Sequence, residues 1–142
     1  MPMKTRLDSV VQLRERAEDH AKGSMREAAE AVRTSQLALT AARANARRLD
    51  ISGASAAHWE LRQVGHERAL RQVEVAEHRM HSSFEEEATA KTKLRAAHQN
   101  AERVRRVVTQ RQQAQRTEES RAEQKAMDEF VTLRQRVDPS ER

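Results

Sequence analysis

The chain is 142 residues long, 35% charged and only 2% aromatic, with a mean hydropathy of −0.96. Those values exclude a conventional globular core and leave either disorder or long helices with a narrow apolar seam. The net charge of +5, spread over a mixed-sign surface, does not by itself point to an acidic partner, and the absence of Cys removes disulfide and thiolate chemistry.

Helix propensity decides between the two classes. Ala, Arg, Glu, Gln, Lys and Leu dominate, and only three Gly and two Pro are present to interrupt a helix. No run approaches the ~20 apolar residues of a membrane span, and the opening "MPMKTRLDSVVQLRER" lacks the apolar stretch of a signal peptide. The expectation is a cytoplasmic, all-α protein: one coiled-coil domain over residues 1–142, built from two long helices in an antiparallel hairpin.

The first helix is expected over about residues 4–49. Ala21, Met25, Ala28, Val32, Ser35, Leu39, Ala42, Ala46 and Leu49 alternate in steps of four and three, the rhythm of a left-handed coiled coil. Upstream, Arg14 and Glu18 would occupy that seam, whereas Leu7, Val10, Leu13 and Ala17 make a shifted stripe, so a local phase change is expected. Arg47 and Arg48 suit the last turn, where cations complement the helix dipole.

"LDISGASAAHWE" interrupts the pattern. Asp50, Ser52, Gly53 and Ser55 supply turn chemistry for a connection over residues 50–55, and Ser52 or Ser55 can cap the next helix, with Glu60 near its start. Trp59 sits beside the hairpin tip, as a staple onto Leu49 or Ile51 or as an exposed anchor for a partner.

The second helix is expected over about residues 56–137, with Gly65 a weak point inside it. One seven-residue series reads His66, Val73, Met80, Glu87, Leu94, Ala101, Val108. The complementary series reads Leu70, Glu77, Phe84, Lys91, His98, Arg105, a mixed column that predicts only moderate stability. Folding back from Gly53, the first helix covers the second to about Asn100, so about 35 residues, on the order of 50 Å, project beyond it. Met127, Phe130, Val131 and Val137 form an apolar stripe there with no intramolecular partner. It is open to three readings: a partner-binding surface, a homodimer seam, or a frayed end.

Other clusters are less specific. His78, His81 and Glu85 share a helical face, but no HExxH-like pattern accompanies them, and a solvated histidine pair is the simpler reading. The acidic run at 85–87 is placed to pair with Lys91 and Lys93 on the surface, with Glu87 and Lys91 spaced by four. "ERVRRVVTQRQQAQR" is the most basic stretch, yet Arg103, Arg105, Arg106, Arg111 and Arg116 spread over several faces with no aromatic for base stacking, which argues against nucleic acid. A phosphate loop and a substrate-enclosing fold are both absent from the pattern, so neither an enzyme nor a cofactor is expected.

"EQKAMDEF" at 123–130 resembles the closing motif of the FliJ family of flagellar type III export stalk proteins, and "LDISGASAAHW" resembles that family's inter-helix segment. The short–long helical hairpin and the N-terminal "VVQLRERAEDHA" are similar too. The resemblance implies an antiparallel coiled coil like the rotor shaft of F-type ATPases, with both chain ends inserted in a hexameric export ATPase. It implies further that the other end reaches the export gate, that export chaperones are additional partners, and that the protein works at the cytoplasmic side of the inner membrane. Carried over by position, Gln124, Lys125, Met127, Asp128, Glu129 and Phe130 would contact the ATPase and Trp59 would mark the gate-facing end. One departure is visible: where relatives often carry large or aromatic side chains soon after that Trp, this chain has Val64 and Gly65. A YscO-type injectisome stalk, or a coiled-coil dimer with no ATPase, would share the architecture.

Overall fold

The computed structural model describes residues 6–49 and 55–137, apart from the side chains of Ala57 and Val137. Two helices account for nearly all of them: α1, Arg6–Arg48, and α2, Ala56–Val137, of 43 and 82 residues. They pack against each other as an antiparallel hairpin with the second helix the longer. Arg47 and Arg48 close α1 as the dipole argument expects. Asp50, Ser52 and Gly53, assigned to the connection, lie outside the described residues. Ser55 precedes α2: its carbonyl accepts from the His58 backbone N–H at 3.0 Å, and its hydroxyl bonds the His58 ring Nδ1 at 2.9 Å.

The predicted α1 seam is the buried face. Ala21, Val32, Leu39 and Ala46 are buried, and Met25, Ala28, Ser35, Ala42 and Leu49 are half-buried. The expected phase change upstream does not occur. Leu13 is 64% exposed and Val10 and Ala17 are also exposed, whereas Val11 and Leu7 are half-buried and Glu18 is buried at 4% exposure. The three–four rhythm therefore runs on through Glu18, and Arg14 is its one exposed member. The reason is electrostatic: a carboxylate in the seam is tolerated when its charge is matched there.

On α2 one predicted column holds. His66, Val73, Met80, Glu87, Leu94 and Val108 are half-buried and Ala101 is buried. The other column is displaced by one residue. Ala69, Ala76, Ser83 and Ala90 are buried and Ala97 and Val104 half-buried, while Leu70 and Phe84 remain 46% and 42% exposed. The seam is thus regular, in steps of three and four, and its second column is made mostly of small residues. The small side chains of α1 (Ala21, Ala28, Ser35, Ala42) let the backbones approach closely at their layers, as the 2.8 Å contact between Ser35 Oγ and Ser83 Oγ shows, which favours small side chains in the inner column of α2.

Polar contacts at three levels fix which residues face which. Ser35 Oγ and Ser83 Oγ lie 2.8 Å apart. Each hydroxyl also reaches its own helix, at Ala31 O (2.8 Å) and Arg79 O (2.9 Å). With one proton each, one serine donates across the seam while the other donates to its carbonyl. Arg43 donates from Nη2 to Glu77 Oε1 at 3.0 Å nearer the hairpin tip. Near the start of α1, Glu18 accepts from His98 Nδ1 at 3.0 Å and from Arg105 Nη2 at 3.2 Å, with Lys22 Nζ 3.2 Å away. Arg105 also meets Glu15 at 3.5 Å and Glu102 at 3.0 Å.

This register corrects the expected coverage. α1 shields α2 past Asn100, as far as Val108, because α2 has already run several turns before its first buried position, Ala69.

The His98 and Lys22 bonds to Glu18 hold its carboxyl at about 2, against an ordinary 4.5, and overcome the opposing effect of burial. A depressed carboxylate stabilises the fold fully above its unfolded value, and that contribution is lost as pH falls from about 4.5 toward 2. Between those limits the thermal midpoint of the wild type should fall more steeply than that of Glu18→Gln, and parallel curves would refute the assignment. The displaced column gives a second test by chemical denaturation: Ala76→Leu should cost about 1–3 kcal/mol through overpacking, whereas Leu70→Ala should cost less than about 1 kcal/mol.

Candidate functional site

Beyond Val108 the character of α2 changes. Every residue from 109 to 136 is exposed, a bare helix of about 40 Å. The run is shorter than the sequence suggested, because α1 reaches farther, but it contains the whole "EQKAMDEF" motif. A free helix of this length is marginal in water by itself. Here it continues a packed helix and gains local pairs such as Gln115 with Glu119 at 3.0 Å.

The apolar side chains of the overhang have no cover. Met127 is 68% exposed, Phe130 64% and Leu133 61%, with Val131 also exposed. At 3.6 residues per turn Met127, Phe130 and Val131 share one face, and Leu133 flanks Phe130. Leu133 is missing from the sequence-derived stripe, although its spacing of three from Phe130 was a readable signal. Val137, which that stripe included, has no described side chain. A cluster of this kind on an otherwise polar surface differs from isolated exposed apolar residues.

The six motif residues do not form one patch. Met127 and Phe130 lie on the apolar face, Gln124 and Asp128 on a flank, and Lys125 and Glu129 on the opposite side. All six are exposed, so the motif rings the helix.

The hairpin tip also carries uncovered apolar groups. Trp59 is 47% exposed, and Leu61 and Val64 are exposed beside it. Of the two anchors considered for a Trp59 staple, Leu49 is half-buried and Ile51 lies outside the described residues.

The remaining clusters read as surface chemistry. His81 Nε2 pairs with Glu85 Oε1 at 3.3 Å, and among the described residues no group of three or more His, Asp or Glu is placed to hold a metal. Lys91 pairs with Glu87 at 3.3 Å across one turn. An open groove along one flank is lined by small side chains such as Ala17, Ser24 and Ala31 and by His20, Glu27, Glu86 and Lys93; Ser82 Oγ donates to Glu86 Oε1 there at 3.4 Å, an exposed contact within one helical turn. Among the described residues no helix is long and apolar enough to cross a membrane.

No curated protein and no solved structure matches the chain. The family model described as Flagellar FliJ protein matches residues 3–138, which takes in both helices and the bare terminal run. On that near-complete match, and with the short–long helical hairpin that the resemblance implied, the chain belongs to the flagellar FliJ protein family.

Proposed function

We propose that this protein is a non-enzymatic stalk of the flagellar type III protein export apparatus, whose α2 overhang seats in the central opening of the hexameric export ATPase. The observation that carries this reading is the exposed run 109–136 with Met127, Phe130, Val131 and Leu133 uncovered. Removing each of these side chains from water contributes about 1–2 kcal/mol, and none of the described residues supplies that cover. The distribution of Gln124, Lys125, Met127, Asp128, Glu129 and Phe130 around the helix suits a partner that surrounds it. A single helix is about 10–12 Å across, a width that a ring's central opening can receive.

The opposite end, with Trp59, Leu61 and Val64 exposed, faces the export gate, so the hairpin links the ATPase to substrate entry. The chain acts as one coiled-coil unit on the cytoplasmic side of the inner membrane, with export chaperones as further partners.

The test is stimulation of the cognate export ATPase by three proteins: the wild type, a chain ending at Arg121, and Phe130→Ala. The wild type should stimulate and the truncated chain should not. Phe130→Ala should raise the half-maximal concentration roughly 30-fold, the equivalent of a hot-spot loss of about 2 kcal/mol. Equal stimulation by the wild type and the truncated chain would remove the proposal, and circular dichroism would verify that the truncated chain keeps its hairpin.

A further inference from the structure

The most basic part of the molecule is unused by the reading above. From Ala88 to Thr117 the sequence has a single acidic residue, Glu102, against eight basic ones. Among these cations the fold sets Arg105 apart from three others, Arg95, Arg103 and Arg106. Arg105 turns toward α1 and is consumed by Glu15, Glu18 and Glu102. Arg95, Arg103 and Arg106 point the other way. With Gln99, Gln110 and Gln113 they follow one another in steps of four, four, three, four and three, one stripe about 27 Å long. All six are exposed, on the side of α2 opposite Leu94, Ala97, Ala101, Val104 and Val108. Among the described residues no carboxylate pairs with Arg95, Arg103 or Arg106.

Three unpaired guanidiniums interleaved with amides form a surface suited to carboxylates, which arginine binds in a bidentate fork while glutamine donates and accepts beside it. Its occupant follows from position. The stripe runs without a break into the bare overhang, so a molecule that encloses residues 109–136 meets the stripe at its own entrance. Three arginines supply little for a polynucleotide or an anionic membrane held by charge alone, and the stripe carries neither aromatics for base stacking nor apolar side chains for insertion.

We infer that Arg95, Arg103 and Arg106 form an electrostatic docking stripe for an acidic rim on the protein that receives the overhang, which rests on the stalk reading. The stripe steers and orients the entering helix, whereas the apolar overhang holds it. Charge complementarity of this kind acts mainly on the association rate, and salt screens it.

The experiment measures association of the full chain with the hexameric export ATPase from low to high NaCl. It compares the wild type, the triple variant Arg95→Glu/Arg103→Glu/Arg106→Glu, and Arg26→Glu/Arg33→Glu/Arg47→Glu, which makes the same charge change on the exposed outer side of α1. The stripe variant should associate about tenfold more slowly at low salt and lose most of its salt dependence. It should keep full ATPase stimulation at saturating concentration, and the α1 variant should stay close to wild type. A stripe variant that associates like the α1 variant would overturn the docking stripe and leave the stalk reading standing. Failure of the wild type to bind the ATPase would overturn both. Phosphatidylglycerol vesicles and RNA are run in parallel: charge-reversal-sensitive binding to either, with ATPase association unchanged, would likewise overturn the assignment.

Discussion

The depth to which α1 reaches along α2 governs what the molecule can present to others, and a few polar contacts set that depth. The apolar seam alone does not. Alanine recurs every seven residues at 69, 76, 90 and 97, so sliding α1 by one heptad would often set small residues against small residues again. Ser83 interrupts that series once, Ser35 is its counterpart on α1, and their hydroxyls meet at 2.8 Å. A slip of seven in either direction would put Ser35 against alanine. The same displacement would strip Glu18 of His98 or Arg105 and leave a buried carboxylate short of partners, a penalty far larger than the net worth of one ordinary hydrogen bond. A single polar position that fixes coiled-coil register is the best-attested use of such residues.

Because register is fixed, so is the division of surface. The buried apolar residues are mostly alanines, with Val32 and Leu39 the larger exceptions, so no single layer contributes much and stability is spread along the hairpin. A core that thin leaves nothing over for the last turns of α2. Larger apolar side chains lie exposed instead, clustered at the two ends (Trp59 and Leu61 at the tip, Met127, Phe130 and Leu133 on the overhang) and scattered between them at Leu13, Leu37, Leu70 and Phe84. This is the reverse of a globular protein, where the large residues lie inside. It is the arrangement expected of a rod that works through its ends.

Charge follows the same geometry. Where α1 lies against α2 near the open end, acids of α1 meet bases of α2, and Arg105 is held above its ordinary value chiefly by Glu102, with Glu18 and Glu15 adding to it. Toward solvent the basic surplus is unanswered. One stretch of sequence therefore serves two purposes, locking the hairpin on its inner face and presenting arginine on its outer one, and helical periodicity keeps the two apart.

Much of this was legible in the amino-acid order. Composition and propensity gave two long helices, the three–four alternation gave the buried face of α1 and one column of α2, and the motif at 123–130 gave the family. Three features were not legible. The inner column of α2 was misplaced by one residue because Leu70 and Phe84 are the larger apolar groups, and only the close approach of the two backbones shows that small side chains are favoured in their place. The continuation of the α1 seam through Glu18 was hidden because its partners, His98 and Arg105, lie some eighty residues away. The start of the bare overhang depends on register, a property of the pair of helices that neither helix carries alone. Local sequence determined each helix and which residues share a face; the tertiary structure decided which faces meet and how far along, because that choice rests on contacts between residues distant in the chain.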